Sequence, residues 1–236
     1  MPTLKNWDNK TWIASRKYIE SFNNFILKQK KLNRSSKILD IGCGRGKIVG
    51  TLSSKLRLQN KPIGIDITNH KDKDKRIKFK KTDALSFFST NENKFDLILI
   101  KQTIHLFKII KIKKLLKLCR NKLNQKGKII ILTLDPNHNQ IPTFPLMAQH
   151  LKISLERDKK IVKLISKLYP MRIMKKFSFN ARVSKKKYLE MIKNRYISTL
   201  FQFSSKEILE GISELNLKYK KVIKFKDKLQ CIVIKK

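Results

Sequence analysis

Residues 38–46 read Ile38-Leu39-Asp40-Ile41-Gly42-Cys43-Gly44-Arg45-Gly46. An apolar run carrying one acid leads straight into three alternating glycines, and Lys47-Ile48-Val49-Gly50-Thr51-Leu52 continues with helical character. Glycines at the end of a buried strand let backbone approach a ligand where any Cβ would collide. A helix that begins there turns its free N–H groups toward the same place. The spacing then separates the possible ligands. A dinucleotide fingerprint is Gly-x-Gly-x-x-Gly; here Gly46 comes one residue early, and Asp40 stands two residues before Gly42. A phosphate loop needs Gly-x-x-x-x-Gly-Lys followed by a hydroxyl residue, but Ile41 and Ile48 occupy the first and last of those places. An acid in the loop suits a cationic ligand better than a phosphate, because like charges repel at this range.

The pattern resembles motif I of the class I S-adenosylmethionine-dependent methyltransferases, whose donor carries a sulfonium and an ammonium and no phosphate. Later stretches resemble the family's further motifs in order and together cover residues 36–136. Ile63-Gly64-Ile65-Asp66-Ile67 looks like a second strand ending in an acid, and Asp66 lies where a carboxylate would accept both ribose hydroxyls. Lys81-Thr82-Asp83-Ala84 looks like the end of the third strand, where Asp83 would meet the adenine amino group. Phe95 to Ile100 looks like the fourth strand, with Gln102 and His105 just beyond, and Gly127 to Leu134 looks like the fifth. The resemblance implies that Gly42, Gly44 and Gly46 cradle the donor and that Asp40 orients loop amides and the methionine amine. It implies that Ile67 and Ala84 sandwich the adenine, and that Gln102 contacts the methionine part or the adenine. His105 is either a general base or a packing histidine. Trp7 and Trp12 either cover the ligands or, for Trp12, belong to the core. A narrower likeness lies in the tail. Arg195-Tyr196-Ile197-Ser198, Phe203 to Ile208, Gly211 to Leu215 and Phe225-Lys226-Asp227 are similar to the C-terminal part of small-molecule methyltransferases of the trans-aconitate type.

A chain of 236 residues, 41% of them hydrophobic, suffices for one α/β domain with a moderate insertion. No apolar run is long enough for a membrane span, and the first residues, Met-Pro-Thr-Leu-Lys-Asn-Trp-Asp, contain no apolar core of a secretory signal. Three scattered cysteines and four histidines without ligand spacing suggest free thiols, no metal site, and a reducing, cytoplasmic setting. The net charge of +39 is the odd global fact. It favours a polyanion such as nucleic acid. Yet the lysines run along the whole chain instead of forming one arm or stripe, which favours compositional drift in an AT-rich genome over the polyanion reading. Whatever its origin, such charge draws in anionic substrates.

Hydrophobic periodicity places an amphipathic helix over 7–31, strands at 37–41, 61–66, 77–80, 95–100 and 127–134, and helices at 46–58 and 108–124. Alternation of this kind implies a Rossmann-like α/β fold, mostly parallel and seven-stranded, with helices on both faces. Asp135-Pro136-Asn137 then stops the pattern. Residues 138–200 read as an approximate cap within a single 1–236 domain, with helical stretches at 145–155 and 158–168 and a strand near 176–183. Helices are expected at 184–194 and 205–216, and 220–225 with 229–234 read as an antiparallel C-terminal hairpin around Asp227. His138, Tyr169, Arg172, Arg195 and Tyr196 in or beside the cap are the substrate-side candidates, since arginine grips carboxylates bidentately. Two nucleic-acid chemistries lack their marks. No Asp/Asn-Pro-Pro-aromatic follows the fourth strand, and no cysteine follows a proline. The expectation is therefore methyl transfer to a small, carboxylate-bearing molecule. An RNA methyltransferase and a non-catalytic nucleic-acid-binding protein of the same fold stand as alternatives.

Overall fold

The computed structural model describes residues 11–236; Trp7 lies outside them. A 3₁₀ turn at Trp12–Ala14 leads into α1 (Arg16–Gln29), whose first turn is capped by the Ser15 hydroxyl accepting from the Tyr18 N–H. Then follow β1 (Ile38–Ile41), α2 (Lys47–Leu56), β2 (Ile63–Asp66), β3 (Lys78–Lys81), α3 (Ala84–Thr90), β4 (Phe95–Lys101) and α4 (Ile109–Asn121). The rest is β5 (Leu123–Leu134), α5 (Pro145–Leu168), β6 (Ile173–Ser184), α6 (Lys185–Lys193), α7 (Ser205–Lys218) and β7 (Val222–Lys235). Short 3₁₀ turns follow β4 at Ile104–Leu106 and precede α7 at Ser198–Gln202.

The seven strands form one sheet in the order β3-β2-β1-β4-β5-β7-β6. Strands β1 to β5 run parallel, and β7 is antiparallel to both its neighbours. The chain winds outward from β1 to β3, then returns to the other side of β1 as β4. That reversal opens a crevice at the carboxyl ends of β1 and β4, where open α/β sheets place their ligands.

Both faces of the sheet are covered. Leu97 and Leu99 of β4 point into one core with α1, α2, α6 and α7; Ile98 and Ile100 point into the other with α3, α4 and α5. Near-continuous apolar strands follow from burial on both sides. The same alternation puts Asp40, Lys101 and Asp227 on the α1 face, in step with Ile38, Leu99 and Leu229.

Three elements differ from the sequence reading. First, α3 was not expected; Asp83 caps it by accepting from the Leu85 and Ser86 N–H groups. Second, the two helical stretches after β5 are one helix of 24 residues, because no Gly or Pro interrupts them and Glu156 pairs with Lys159 across the supposed gap. This helix is the insertion after β5: Ile161 and Ile165 complete the second core, and Leu151 to Asp158 wall a cavity. Third, the antiparallel C-terminal pair is β6 with β7; the two arms read as a hairpin form one continuous strand. Asp227 makes no turn. It is buried in mid-strand and accepts a hydrogen bond from the Trp12 indole N–H at 2.9 Å.

Candidate active site

The bend after β1 is shaped by backbone. The Gly42 and Cys43 N–H groups both donate to the Ile65 carbonyl, at 2.8 and 3.1 Å, which ties the loop to β2. Gly42 and Gly44 have φ of +71° and +55°, in the left-handed region that favours glycine. The two differ in their surroundings. A Cβ on Gly42 would stand 2.2 Å from Thr103 Oγ1, whereas one on Gly44 would meet nothing within 4 Å among the described residues. Gly42 is thus packed from behind by the loop after β4, and Gly44 presents an open backbone face.

Asp66, at the end of β2, holds that face in place. Its Oδ2 accepts from the Gly44 N–H and its Oδ1 from the Thr68 N–H, both at 2.9 Å, with His70 Nε2 at 3.7 Å. Burial pushes the Asp66 carboxyl up, but hydrogen bonds from His70, Thr68 and Gly44 outweigh it and hold the group below the usual carboxylate range. Asp40, two residues before Gly42, has the opposite balance. It is buried, and desolvation pushes it up to about 7, against Lys101 and reinforced by Asp66. Lys101 lies over the Tyr18 and Phe22 rings, 5.4 Å from each, and donates to Gln102 Oε1 at 2.7 Å.

Asp83 lies at an exposed edge, its Oδ1 taken up by the α3 cap. Hydrogen bonds from Ser86 and Leu85 hold its carboxyl below the usual range. Ala84 is buried, while Ile67 is 69% exposed beside Asp66, an apolar side chain left open at the strand end.

A cavity of about 300 Å³ opens beside the same crevice. Trp12 and Ile13 wall it on one side, Gln102, His105 and Leu106 on another, and α5 and the 196–199 segment close it. Of the sequence-chosen substrate candidates, Tyr196 lines it and the other four do not. Arg195 donates to the Leu200 and Phe203 carbonyls, both at 2.5 Å, and so ties the 3₁₀ turn down. Tyr169 packs its ring against the Arg120 guanidinium at the far end of α5. Arg172 donates to the Pro170 carbonyl at 3.0 Å, and His138 stands 3.6 Å from Asp135 at the surface.

Residues 32–195 match a family model described as a methyltransferase domain. The chain belongs to that family. Among solved structures, the plantazolicin methyltransferase BpumL, in complex with a pentazolic desmethylPZN analog and SAH, is similar at 18% identity and a TM-score of 0.54. That match covers 98% of this chain and 88% of that one. A SAM-dependent methyltransferase from Geobacter sulfurreducens, in complex with S-adenosyl-L-homocysteine, is 12% identical with a TM-score of 0.58, over 99% and 97% of the two chains. At these identities the likeness speaks for the fold. No curated protein matches the chain. The protein is an S-adenosylmethionine-dependent methyltransferase.

The methyltransferase has groups that fit its donor. The open side of Gly44 admits close approach of a ligand to backbone. Each Asp66 oxygen already accepts one N–H and retains a lone pair for a hydroxyl donor. Ile67 offers an exposed apolar surface next to that carboxylate. When bound, the donor supplies an electrophilic methyl group on a sulfonium. What falls to the protein is positioning, exclusion of water and care of the acceptor's proton.

Among the described lining residues, His105 and Asp158 are the cavity's titratable groups apart from Arg157 and Tyr196. Burial, helped by Arg157, pushes His105 down to about 4, so its imidazole is neutral at neutral pH. Burial pushes Asp158 up to about 6, against the Thr133 hydroxyl, which donates to its Oδ2 at 2.5 Å, and against Arg157. Sequence reasoning missed Asp158, Thr133, Lys101 and the Trp12–Asp227 bond. One signal for Asp158 was there: it interrupts the apolar stripe Leu151, Ile161, Ile165 of a helix whose other face is charged.

Proposed function

We propose that the methyltransferase acts on a small organic molecule bound in the 300 Å³ cavity, with the donor laid over the Gly42–Gly46 loop. In this reading Gly42, Gly44, Gly46 and Asp40 hold the methionine end, Asp66 takes the ribose hydroxyls, and Ile67, Asp83 and Ala84 flank the adenine. Gln102 joins the two halves: it follows β4, its side chain is held by Lys101, and it lines the cavity. That juxtaposition carries the proposal. The chain works as one catalytic unit, with residues 138–200 supplying the cavity wall. Its three unbridged cysteines suit a cytoplasmic setting.

The cavity's size and lining support a small acceptor over RNA. Its volume lies at the lower end for small-molecule sites. Arg157 is the single permanent cation among its described lining residues, whereas a nucleic-acid backbone takes several. The carboxylate-bearing acceptor expected from the +39 charge and the trans-aconitate likeness has weaker support. Within that likeness, Tyr196, Ile197 and Ser198 line the cavity, but Arg195 is committed to carbonyls.

Transfer of tritiated methyl from S-adenosylmethionine tests the reading. A metabolite extract and total RNA serve as parallel acceptors. Label is expected in low-molecular-mass product. Label confined to RNA would replace this reading with the nucleic-acid one.

A further inference from the structure

We propose that Asp158 selects the acceptor, taking a hydrogen bond from an N–H or O–H group of an otherwise apolar small molecule and turning carboxylates away. The proposal deepens the reading above and rests on it for the identity of the cavity.

Three observations carry it. Asp158 stands in the cavity wall and is only 5% exposed. Its Oδ2 is taken by the Thr133 hydroxyl, while its buried Oδ1 has no hydrogen-bond partner among the described residues. A buried carboxylate oxygen left unmet is costly, and a leucine at this stripe position would extend the core instead. Arg157 offsets part of the charge but donates to the Phe107 carbonyl at 2.9 Å and makes no hydrogen bond to Oδ1, and Ile141, Leu134, Leu151 and Leu155 are apolar. A ligand donor entering here meets an acceptor with spare capacity in a medium of low polarity, where such a bond is strong. A carboxylate entering the same space meets a like charge. The long-range field of the chain attracts anions, so the overall charge and the local wall select in opposite directions.

The test uses matched probes: 2-phenylethylamine, 2-phenylethanol and phenylacetate. Each is titrated into wild-type protein without donor by ligand-observed NMR, at about 0.15 M salt to screen the surface field. Molecules of about ten heavy atoms bind in the millimolar range when they fit. The amine or the alcohol is expected to bind about tenfold or more tighter than phenylacetate, as for one charge-assisted hydrogen bond. In Asp158→Asn that preference collapses to about twofold or less, while the melting temperature holds or rises, since a buried charge has been removed. Phenylacetate binding as tightly as the others, no probe binding by about 10 mM, or an unchanged preference in Asp158→Asn would each overturn the proposal. An unchanged preference with a lower melting temperature would mark Asp158 as a structural residue. Calorimetry with S-adenosylmethionine on the same samples separates the two readings. Silence there removes the donor assignment and leaves the probe preference standing or falling by itself.

Discussion

The donor side and the acceptor side of the crevice are built from different materials. At the ends of β1 and β2, backbone does the shaping: three left-handed glycines, an N–H pair on Ile65, and an Asp66 whose oxygens each hold an amide. The Gly42, Cys43, Gly44 and Thr68 N–H groups all find acceptors within about thirty residues of chain. Across Gln102, the wall is side-chain work drawn from five stretches of chain, mostly apolar, with one carboxylate oxygen unmet among the described residues. A backbone-built site fits one ligand and tolerates little change. A side-chain wall can be re-cut for a new acceptor without disturbing the donor loop. The two sides should therefore respond differently to substitution, and the differences can be ranked.

The largest effect belongs to Gly42→Ala. It combines a left-handed backbone with a Cβ 2.2 Å from Thr103 Oγ1. We expect about 2–4 kcal/mol lost by chemical denaturation and donor affinity down by about 100-fold or more. Gly44→Ala is the control, since open space leaves only the strain of about 1 kcal/mol. Any fall in donor affinity beyond that reports how closely the ligand lies. Equal effects from both would mean that the loop is not a cradle.

Asp66→Ala comes next. Loss of two possible ribose bonds and two loop anchors should weaken S-adenosylmethionine binding about 50-fold or more by calorimetry. It should also flatten the acid limb of the stability curve. The Asp66 pKa is lower folded than unfolded, so its contribution is full above the ordinary carboxylate range and fades as pH falls below about 4. Unchanged affinity would remove the ribose assignment and move the donor elsewhere.

The same contrast explains what could be read from the sequence. The parallel sheet and the glycine bend after β1 were legible because each rests on local chemistry: glycine spacing, acids at strand ends, apolar runs. Asp227 shows the limit. A lone Asp between two apolar stretches looks like a turn, and only the Trp12 indole, contributed from the far end of the chain, explains it as strand. Arg195 was chosen for its chemistry, but its Nη1 was already committed to carbonyls of the next turn, which no spacing announces. Asp158 was the reverse case, visible as an acid on an apolar stripe, yet assignable only once β5 brings Thr133 to it. Pairings across long sequence separation, not residue types, were what the linear chain withheld.

Asp40 tests the boundary between the two sides. Raised to about 7 by burial, it is about half protonated near neutrality in the donor-free enzyme. A cationic donor arriving beside it favours the carboxylate, so binding should release up to about half a proton at pH 7. Calorimetry in buffers of different ionisation enthalpy measures this directly. S-adenosylhomocysteine, which lacks the sulfonium, should release less, and Asp40→Asn should release none. Equal release from both ligands would place the sulfonium away from Asp40.

The smallest effect is expected at His105, and its smallness is informative. A general base works best when its pKa lies near the working pH. Burial and Arg157 push His105 down to about 4, so it is neutral but weakly basic, while Asp158 in the same wall stands near 6. With the acceptor found by the labelled-methyl screen, His105→Ala should lower kcat by about tenfold or less and leave the shape of the profile unchanged between about pH 5 and 8. A base titrating in that window would instead take its acid limb away when removed. A fall of about 100-fold or more together with loss of that limb would assign the acceptor's proton to His105, beside Asp158 as the binding group. The acceptor side would then divide its labour as the donor side does, one group to hold and another to react.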